Sequence, residues 1–178
     1  MDKNSMKLRR IKITFLLIMT AALSANGYAQ KQDASAAVKS FYQFHFSHND
    51  EFSQKEVSRR RRFFTPQLRR LFDAELKRQK IYLKKYPDNK PFFDGLSFEP
   101  IEFCRKDYSV GTARIKNRTA IVKVNFVYGK SSCDASDGTP LLYKIQLTKI
   151  GGKWFIDNVI YDDGTTLTKA FGTAQKIR

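Results

Sequence analysis

The sequence is poor in the residues that most often carry out chemistry in proteins. Its 178 residues include two histidines and two cysteines, too few to supply an evident zinc site. The segment "SSCDASDG" lacks the glycines of a nucleophile elbow, so no Ser-His-Asp triad is indicated. Internal repeats and low-complexity runs are also absent. No motif indicates a cofactor or a metal, and no reaction is predicted.

The N-terminus has the three-part layout of a secretory signal peptide. A positive segment precedes the apolar run "ITFLLIMTAAL", and Gly27 and Ala29 offer a cleavage site between small residues. The run is shorter than the roughly 20 residues of a membrane span, and no cysteine near the cleavage site could carry a lipid anchor. We therefore expect a signal peptide over residues 1–29, a single domain over residues 30–178, and a periplasmic or secreted protein.

Helices are predicted first in the mature chain. One should run from Asp33 to about His48 on apolar positions at 3.6-residue spacing. The segment "SQKE" at residues 53–56 indicates a capping box, in which the serine and glutamate side chains each satisfy an end amide of a short helix. Thr65 as N-cap and Pro66 at the first helical position indicate a third helix, which continues to the "YPDNKP" segment.

The second half changes to a two-residue period, and two β-hairpins are predicted. A turn at Asn117 and Arg118 closes the first, and Gly151 and Gly152 supply the tight turn of the second. The first register pairs Ile115 with Ala120, Ala113 with Val122 and Gly111 with Val124. The second pairs Leu147 with Ile156, Ile145 with Asn158 and Tyr143 with Ile160.

The two cysteines, Cys104 and Cys133, lie close together at the open end of the first hairpin in this register. Export favours a disulfide over two free thiols. A bridge there would stabilise the fold by roughly 3 to 4 kcal/mol on the chain-entropy estimate. The alternative is a pair of buried, reduced cysteines.

Helices followed by antiparallel hairpins predict an α+β domain with the helices on one face of the sheet. The segments "RFFTPQLRRLF", "PFFDG" and "GGKWFIDNVIYDDGTTLTKAF" resemble a family of uncharacterised exported bacterial proteins of the domain-of-unknown-function 3828 type, which has the nuclear transport factor 2-like, or cystatin-like, fold. The resemblance covers most of residues 35–171. It implies N-terminal helices on a strongly curved, cone-like antiparallel sheet, with a cavity and often a dimer through the outer sheet face. It does not imply an enzyme.

The predicted cavity would be lined by inward-facing residues of the first helix and the last hairpin, namely Tyr42, His45, Tyr143 and Asn158. His45 has a pKa range that suits acid-base catalysis, but a histidine on an apolar helix face also suits an ordinary core. His45 and His48 could share a helix face as two metal ligands, and no third ligand follows at a recognisable spacing.

A basic band is the strongest unusual feature of the sequence. Residues 55–90 hold thirteen Lys and Arg against four acids. Such a band can bind phosphate or carboxylate polymers, an acidic protein or anionic lipid, or it can be a solvated helix face. Nucleic acid is not favoured, because Phe63, Phe64 and Phe72 fall where core packing would use them. The predicted surface cations are Arg59, Arg60, Arg61, Arg62, Arg69, Arg70, Lys77, Lys80 and Lys84.

The function that these patterns favour is a non-enzymatic, exported binding or interaction module of the bacterial envelope. Its expected partner is an acidic protein or a polyanionic envelope component. One alternative is a small-molecule-binding protein or enzyme that uses the cavity, and another is an immunity-type protein that binds an acidic partner. A homodimer is predicted through an outer sheet face with Phe155, Val159 and Tyr161.

Overall fold

The computed structural model describes residues 33–100, 105–128 and 141–174. These residues form an α+β domain in which three N-terminal helices contact a five-stranded antiparallel sheet. The helices are α1 (residues 33–46), α2 (Gln54–Arg60), α3 (Pro66–Lys85) and the C-terminal α4 (Leu167–Ala174), with a 3₁₀ turn at Arg61–Phe63. The strands are β1 (Arg105–Val110), β2 (Arg114–Lys116), β3 (Thr119–Tyr128), β4 (Leu141–Ile150) and β5 (Lys153–Ile160).

Local capping chemistry starts the second and third helices where the sequence predicts. Ser53 accepts a hydrogen bond from the Glu56 amide, and Thr65 accepts one from the Leu68 amide, ahead of a helix that begins at Pro66. The predicted capping box is only half formed, because the Glu56 carboxylate turns instead to the arginines of its own helix. None of the described helices combines the length and apolar composition that crossing a bilayer demands.

The core lies between the helices and one face of the sheet. Phe64 stacks on Phe72 and on Phe98, with ring centroids 5.3 Å apart in both pairs. All three rings are fully buried, and burial of such side chains is the main stabilising contribution of a core. The placement of Phe64 and Phe72 in the core is therefore confirmed, and Phe63 packs against it partly buried.

Both hairpin turns are confirmed, and both predicted registers hold only near the turns. Asn117 and the two glycines at 151 and 152 adopt positive φ. Ile115 pairs with Ala120 as predicted, but beyond a break at residues 111–113 Val110, and not Gly111, faces Val124. In the second hairpin Leu147 pairs with Ile156, after which a β-bulge shifts the register by one residue. Ile145 then faces Val159, and Ile160 faces Lys144, so the predicted Ile145–Asn158 and Tyr143–Ile160 pairs are wrong.

The bulge changes which face Val159 occupies. A one-residue shift moves a strand side chain to the opposite face of the sheet, and Val159 is fully buried in the core. Tyr161 is also turned inward, where its hydroxyl donates to the carbonyl of Ser97. Of the three residues predicted for an outer apolar face, Val159 is therefore in the core, Tyr161 packs against the core partly buried, and Phe155 is half-buried on β5.

The sheet is open, with strand order β1-β3-β4-β5, and it is neither closed nor strongly curled. The expectation of a strongly curved cone is not met in the described residues. Part of the reason lies at the β5 edge, where the Thr65 amide donates to the carbonyl of Ile156 and Phe64 forms a bridge with the same residue. The main chain before α3 therefore occupies an edge that closure would need.

The predicted signal peptide at residues 1–29 lies outside the described residues, as do Cys104 and Cys133. The disulfide and the cleavage site therefore stay predictions.

Candidate functional site

The structure places the four residues that were predicted to line a cavity in different surroundings. Tyr42 is fully buried, and its hydroxyl donates to the carbonyl of Phe98 over 2.8 Å. Burial, together with the neighbouring Tyr143 and Glu99, raises the pKa of Tyr42 well above its usual range. A neutral phenol with its hydrogen bond made inside the core is a packing residue.

His45 is held inside the domain by two charged neighbours. Its Nδ1 accepts a hydrogen bond of 3.0 Å from Arg60 Nε, and its Nε2 lies 3.5 Å from Glu99 Oε1. Burial lowers the pKa of His45, the hydrogen-bonding influence of Glu99 opposes this, and the charge of Arg60 adds to it. The residue is only 1% exposed, and its ring packs against those of Phe41 and Phe98.

His48 does not join His45 as a metal ligand. Its Nδ1 lies 2.8 Å from the carbonyl of Phe44, against whose ring the imidazole stacks. Within the described residues, no group of three or more His, Cys, Asp or Glu side chains is placed to hold a metal ion.

Tyr143 and Asn158 also lie apart. Tyr143 lines a cleft of about 330 Å³ with Glu99 and Tyr161. Asn158 binds the start of α4, where its Oδ1 accepts from the Thr168 amide and its Nδ2 donates to the Thr168 hydroxyl. Its role is to satisfy an end amide of a helix.

The arginine run at residues 59–62 is largely occupied by internal contacts. Arg60 was predicted on the surface, but it is fully buried and makes all five of the hydrogen bonds its guanidinium can donate. Its acceptors are His45 Nδ1, the Glu56 carboxylate and the carbonyls of His45, Asn49 and Glu56. A buried guanidinium is tolerated only with such complete pairing.

The other three arginines of the run lie at the surface but also have partners. Arg59 pairs with Glu56 over 3.0 Å, and Arg61 pairs with Asp73 over 2.5 Å. Arg62 lies over the rings of Phe44 and Phe63, at 4.5 and 4.8 Å from their centroids. The densest cationic segment of the sequence is therefore mostly a structural joint between helices.

The remaining predicted cations follow α3. Arg69 donates to the carbonyl of Phe64, whereas Arg70, Lys77, Lys80 and Lys84 are exposed. These four form no ion pair within the described residues.

A second basic surface, which the sequence did not single out, lies on the outer face of the sheet. Lys123 of β3 and Lys144 of β4 are directly opposed partners, and both are exposed. Arg114 lies beside them on β2, opposite Ile121. Together with Thr112 and Ala113 these residues line a cleft of about 600 Å³. We call it the outer cleft.

The break between β1 and β2 shapes one wall of the outer cleft. The Gly111 amide donates to the Lys123 carbonyl over 2.8 Å, and a Cβ on Gly111 would meet that oxygen at 3.4 Å. From the core side, the Ser35 hydroxyl donates to the Gly111 carbonyl and accepts from the Ala113 amide. Helix α1 therefore holds the strand break in place beside Lys123.

The charges of the outer cleft are not balanced. Like charges directly opposed across two strands are destabilising, by up to about 1 kcal/mol. No described residue forms an ion pair with Lys123, Lys144 or Arg114. Asp157 on the neighbouring β5 accepts hydrogen bonds from the Thr65 hydroxyl and the Gln146 amide and forms no ion pair with these cations. The fold thus keeps an unfavourable cation pair that an anion could relieve.

The sequence alone predicts part of the outer cleft. The first hairpin places Arg114 and Lys123 on one face, opposite the apolar one. Lys144 joins them only through the β3–β4 pairing, which no turn motif indicated. Comparison with known proteins adds no further guide, since no protein-family model and no curated protein matches the chain.

Proposed function

We propose that this chain is a non-enzymatic binding module that holds an acidic protein partner against the outer face of its sheet. One observation carries the proposal: Lys123 and Lys144 oppose each other, with Arg114 beside them, and no described carboxylate neutralises them. A carboxylate from a partner would convert this repulsion into attraction. Complementary charge of this kind gives specificity and a fast association rate.

The apolar residues around the cations favour a protein over a charged polymer. Ile121, Leu142, Phe155 and Ile160 lie half-buried on the strands that carry or flank the two lysines. Protein interfaces combine such apolar contacts with polar and charged groups. A polysaccharide or polyphosphate would use the charges and gain little from the side chains between them. An immunity-type protein that blocks a toxin is one form of such a module.

The same face does not favour a homodimer. The predicted dimer depended on Phe155, Val159 and Tyr161, of which Val159 is buried in the core and Tyr161 donates its hydroxyl to the carbonyl of Ser97. A two-fold axis through the outer cleft would bring a second copy of each lysine close to the first pair. The small-molecule alternative has less support, because Tyr42 and His45 are buried in the core, while Tyr143 lines the cleft of about 330 Å³.

The proposal includes export from the cytoplasm and a relationship to the nuclear transport factor 2-like fold. The signal-like N-terminus supports a periplasmic or secreted location. The order of helices before antiparallel hairpins supports a nuclear transport factor 2-like relationship with an open sheet. N-terminal sequencing of the protein recovered from the envelope fraction tests export, and a mature chain that begins at Met1 would contradict it.

The binding test uses a charge-matched control. The wild-type chain, the Lys123→Gln/Lys144→Gln variant and a Lys39→Gln/Lys55→Gln variant are immobilised and exposed to an envelope extract. Lys39 and Lys55 are exposed on α1 and α2, so the control loses the same charge elsewhere. We expect the outer-cleft variant to lose acidic proteins that the wild type and the control retain. Equal retention by all three chains would refute the proposal.

A further inference from the structure

The end of α3 forms a second exposed surface of different character. Its last buried residue is Gln79, and beyond it Ile81 is 60% exposed and Tyr86 is 43% exposed. Helical spacing places Lys77, Lys84 and Lys85 next to Ile81, at i−4, i+3 and i+4. We call these residues, with Lys80 and Tyr86, the α3 tip.

The lysines of the α3 tip have no acidic partners among the described residues. The two acids in the body of α3 are already engaged, Glu75 with Arg78 over 2.7 Å and Asp73 with Arg61. Lys84 and Lys85 complement the helix dipole at its C-terminus. Lys77 and Lys80 lie one to two turns earlier, where the interaction of a cation with the helix dipole is weak. Three lysines therefore lie next to an exposed isoleucine, Lys80 lies one position before it on the adjoining side of the helix, and none of the four forms an ion pair within the described residues.

We propose that the α3 tip docks on an anionic phospholipid surface. Lysines attract anionic headgroups, with each residue near the surface adding to the affinity. An apolar side chain between them can enter the boundary of headgroups and acyl chains, where aromatic residues such as Tyr86 also settle. A soluble polyanion would be attracted by the same lysines but would leave Ile81 in water. Ile81 is thus the residue that distinguishes a membrane from a polymer.

This proposal is independent of the outer cleft. The α3 tip is on a helix, and the outer cleft is on strands β2, β3 and β4. A chain could hold a protein partner at one surface and rest on a bilayer with the other. Variants in one surface then serve as charge-matched controls for the other.

The test is co-sedimentation of the purified protein with vesicles. The protein is isolated from cells with whatever N-terminus it has there. The vesicles are either pure phosphatidylcholine or phosphatidylcholine with phosphatidylglycerol. We expect binding only to vesicles that contain phosphatidylglycerol. Lys80→Gln/Lys84→Gln should lower the partition coefficient about 25-fold, from about fivefold per lysine. Ile81→Ser should lower it by about tenfold through lost apolar burial, while retention on heparin stays unchanged.

The matched control is Lys123→Gln/Lys144→Gln, which removes the same charge from the outer cleft and should leave vesicle binding unchanged. Three outcomes would overturn the proposal. The wild type could ignore phosphatidylglycerol, the control could lose as much binding as the α3 tip variant, or Ile81→Ser could bind vesicles as well as the wild type. The last outcome would mean that the lysines attract anionic surfaces in general and that Ile81 does not enter the bilayer boundary.

Discussion

Replacing Lys144 by glutamine should make the domain more stable and its partner binding weaker. Lys144 and Lys123 are directly opposed on adjacent strands, where Cβ atoms lie about 5 Å apart. The repulsion between exposed like charges at this spacing is worth about 0.3 to 0.8 kcal/mol in water. For a domain of this size the gain corresponds to a rise in Tm of about 1 to 3 °C.

The measurement is urea unfolding at low and at high salt. At 1 M salt the Debye length falls to about 3 Å, so the advantage of Lys144→Gln over the wild type should vanish. Lys144→Arg keeps the charge and should show no gain at either salt concentration. A loss of stability that is equal at both salt concentrations would refute the reasoning, because it would mean that the lysine stem stabilises the strand by packing.

Three further perturbations have definite expected outcomes. Arg60→Met should cost about 3 to 5 kcal/mol of unfolding free energy, since it leaves buried acceptors unpaired, whereas Arg59→Met should cost about 1 kcal/mol or less; equal costs in urea unfolding would contradict the burial of Arg60. Because the pKa of His45 is lowered from 6.5 in the folded state, the unfolded chain takes up more protons below pH 6.5, and stability should fall as pH drops from 7 to 5; a flat profile, or one that His45→Gln leaves unchanged, would exclude this. Mass spectrometry of the unreduced protein should find Cys104 joined to Cys133, and two free thiols would end that prediction.

Local chemistry explains which parts of the fold were predictable. Ser53 and Thr65 cap the helices that they were expected to start, and Gly151 and Gly152 form the expected turn. Each of these features depends on residues close together in the sequence. The overall α+β plan followed from the same signals, because helical and strand periods occupy separate halves of the chain.

The register shifts were not predictable because long-range contacts accompany both of them. Ser35 on α1 binds the break at Gly111 from 76 residues away. At the second shift, Asp157 accepts from Thr65, which is 92 residues away in sequence. Nothing in the strand pattern alone indicates either contact, so the face of Val159 was misassigned.

Within the arginine run, the surface prediction is wrong for Arg60 for a similar reason. Four consecutive arginines look equivalent in the sequence, but a short helix turns only one of them, Arg60, towards His45 and Glu56. The cations of the outer cleft come from separate strands, and the β3–β4 pairing brings Lys123 and Lys144 together.

The hydroxyl of Ser35 connects the shape of the outer cleft to the packing of α1 on the sheet. This one side chain holds the strand break that shapes the outer cleft, and it belongs to the first turn of the first helix. A chain whose α1 has not yet docked would present β1 and β2 without that clamp. Under the proposed function, the outer cleft is therefore complete only in molecules whose α1 is packed against the sheet.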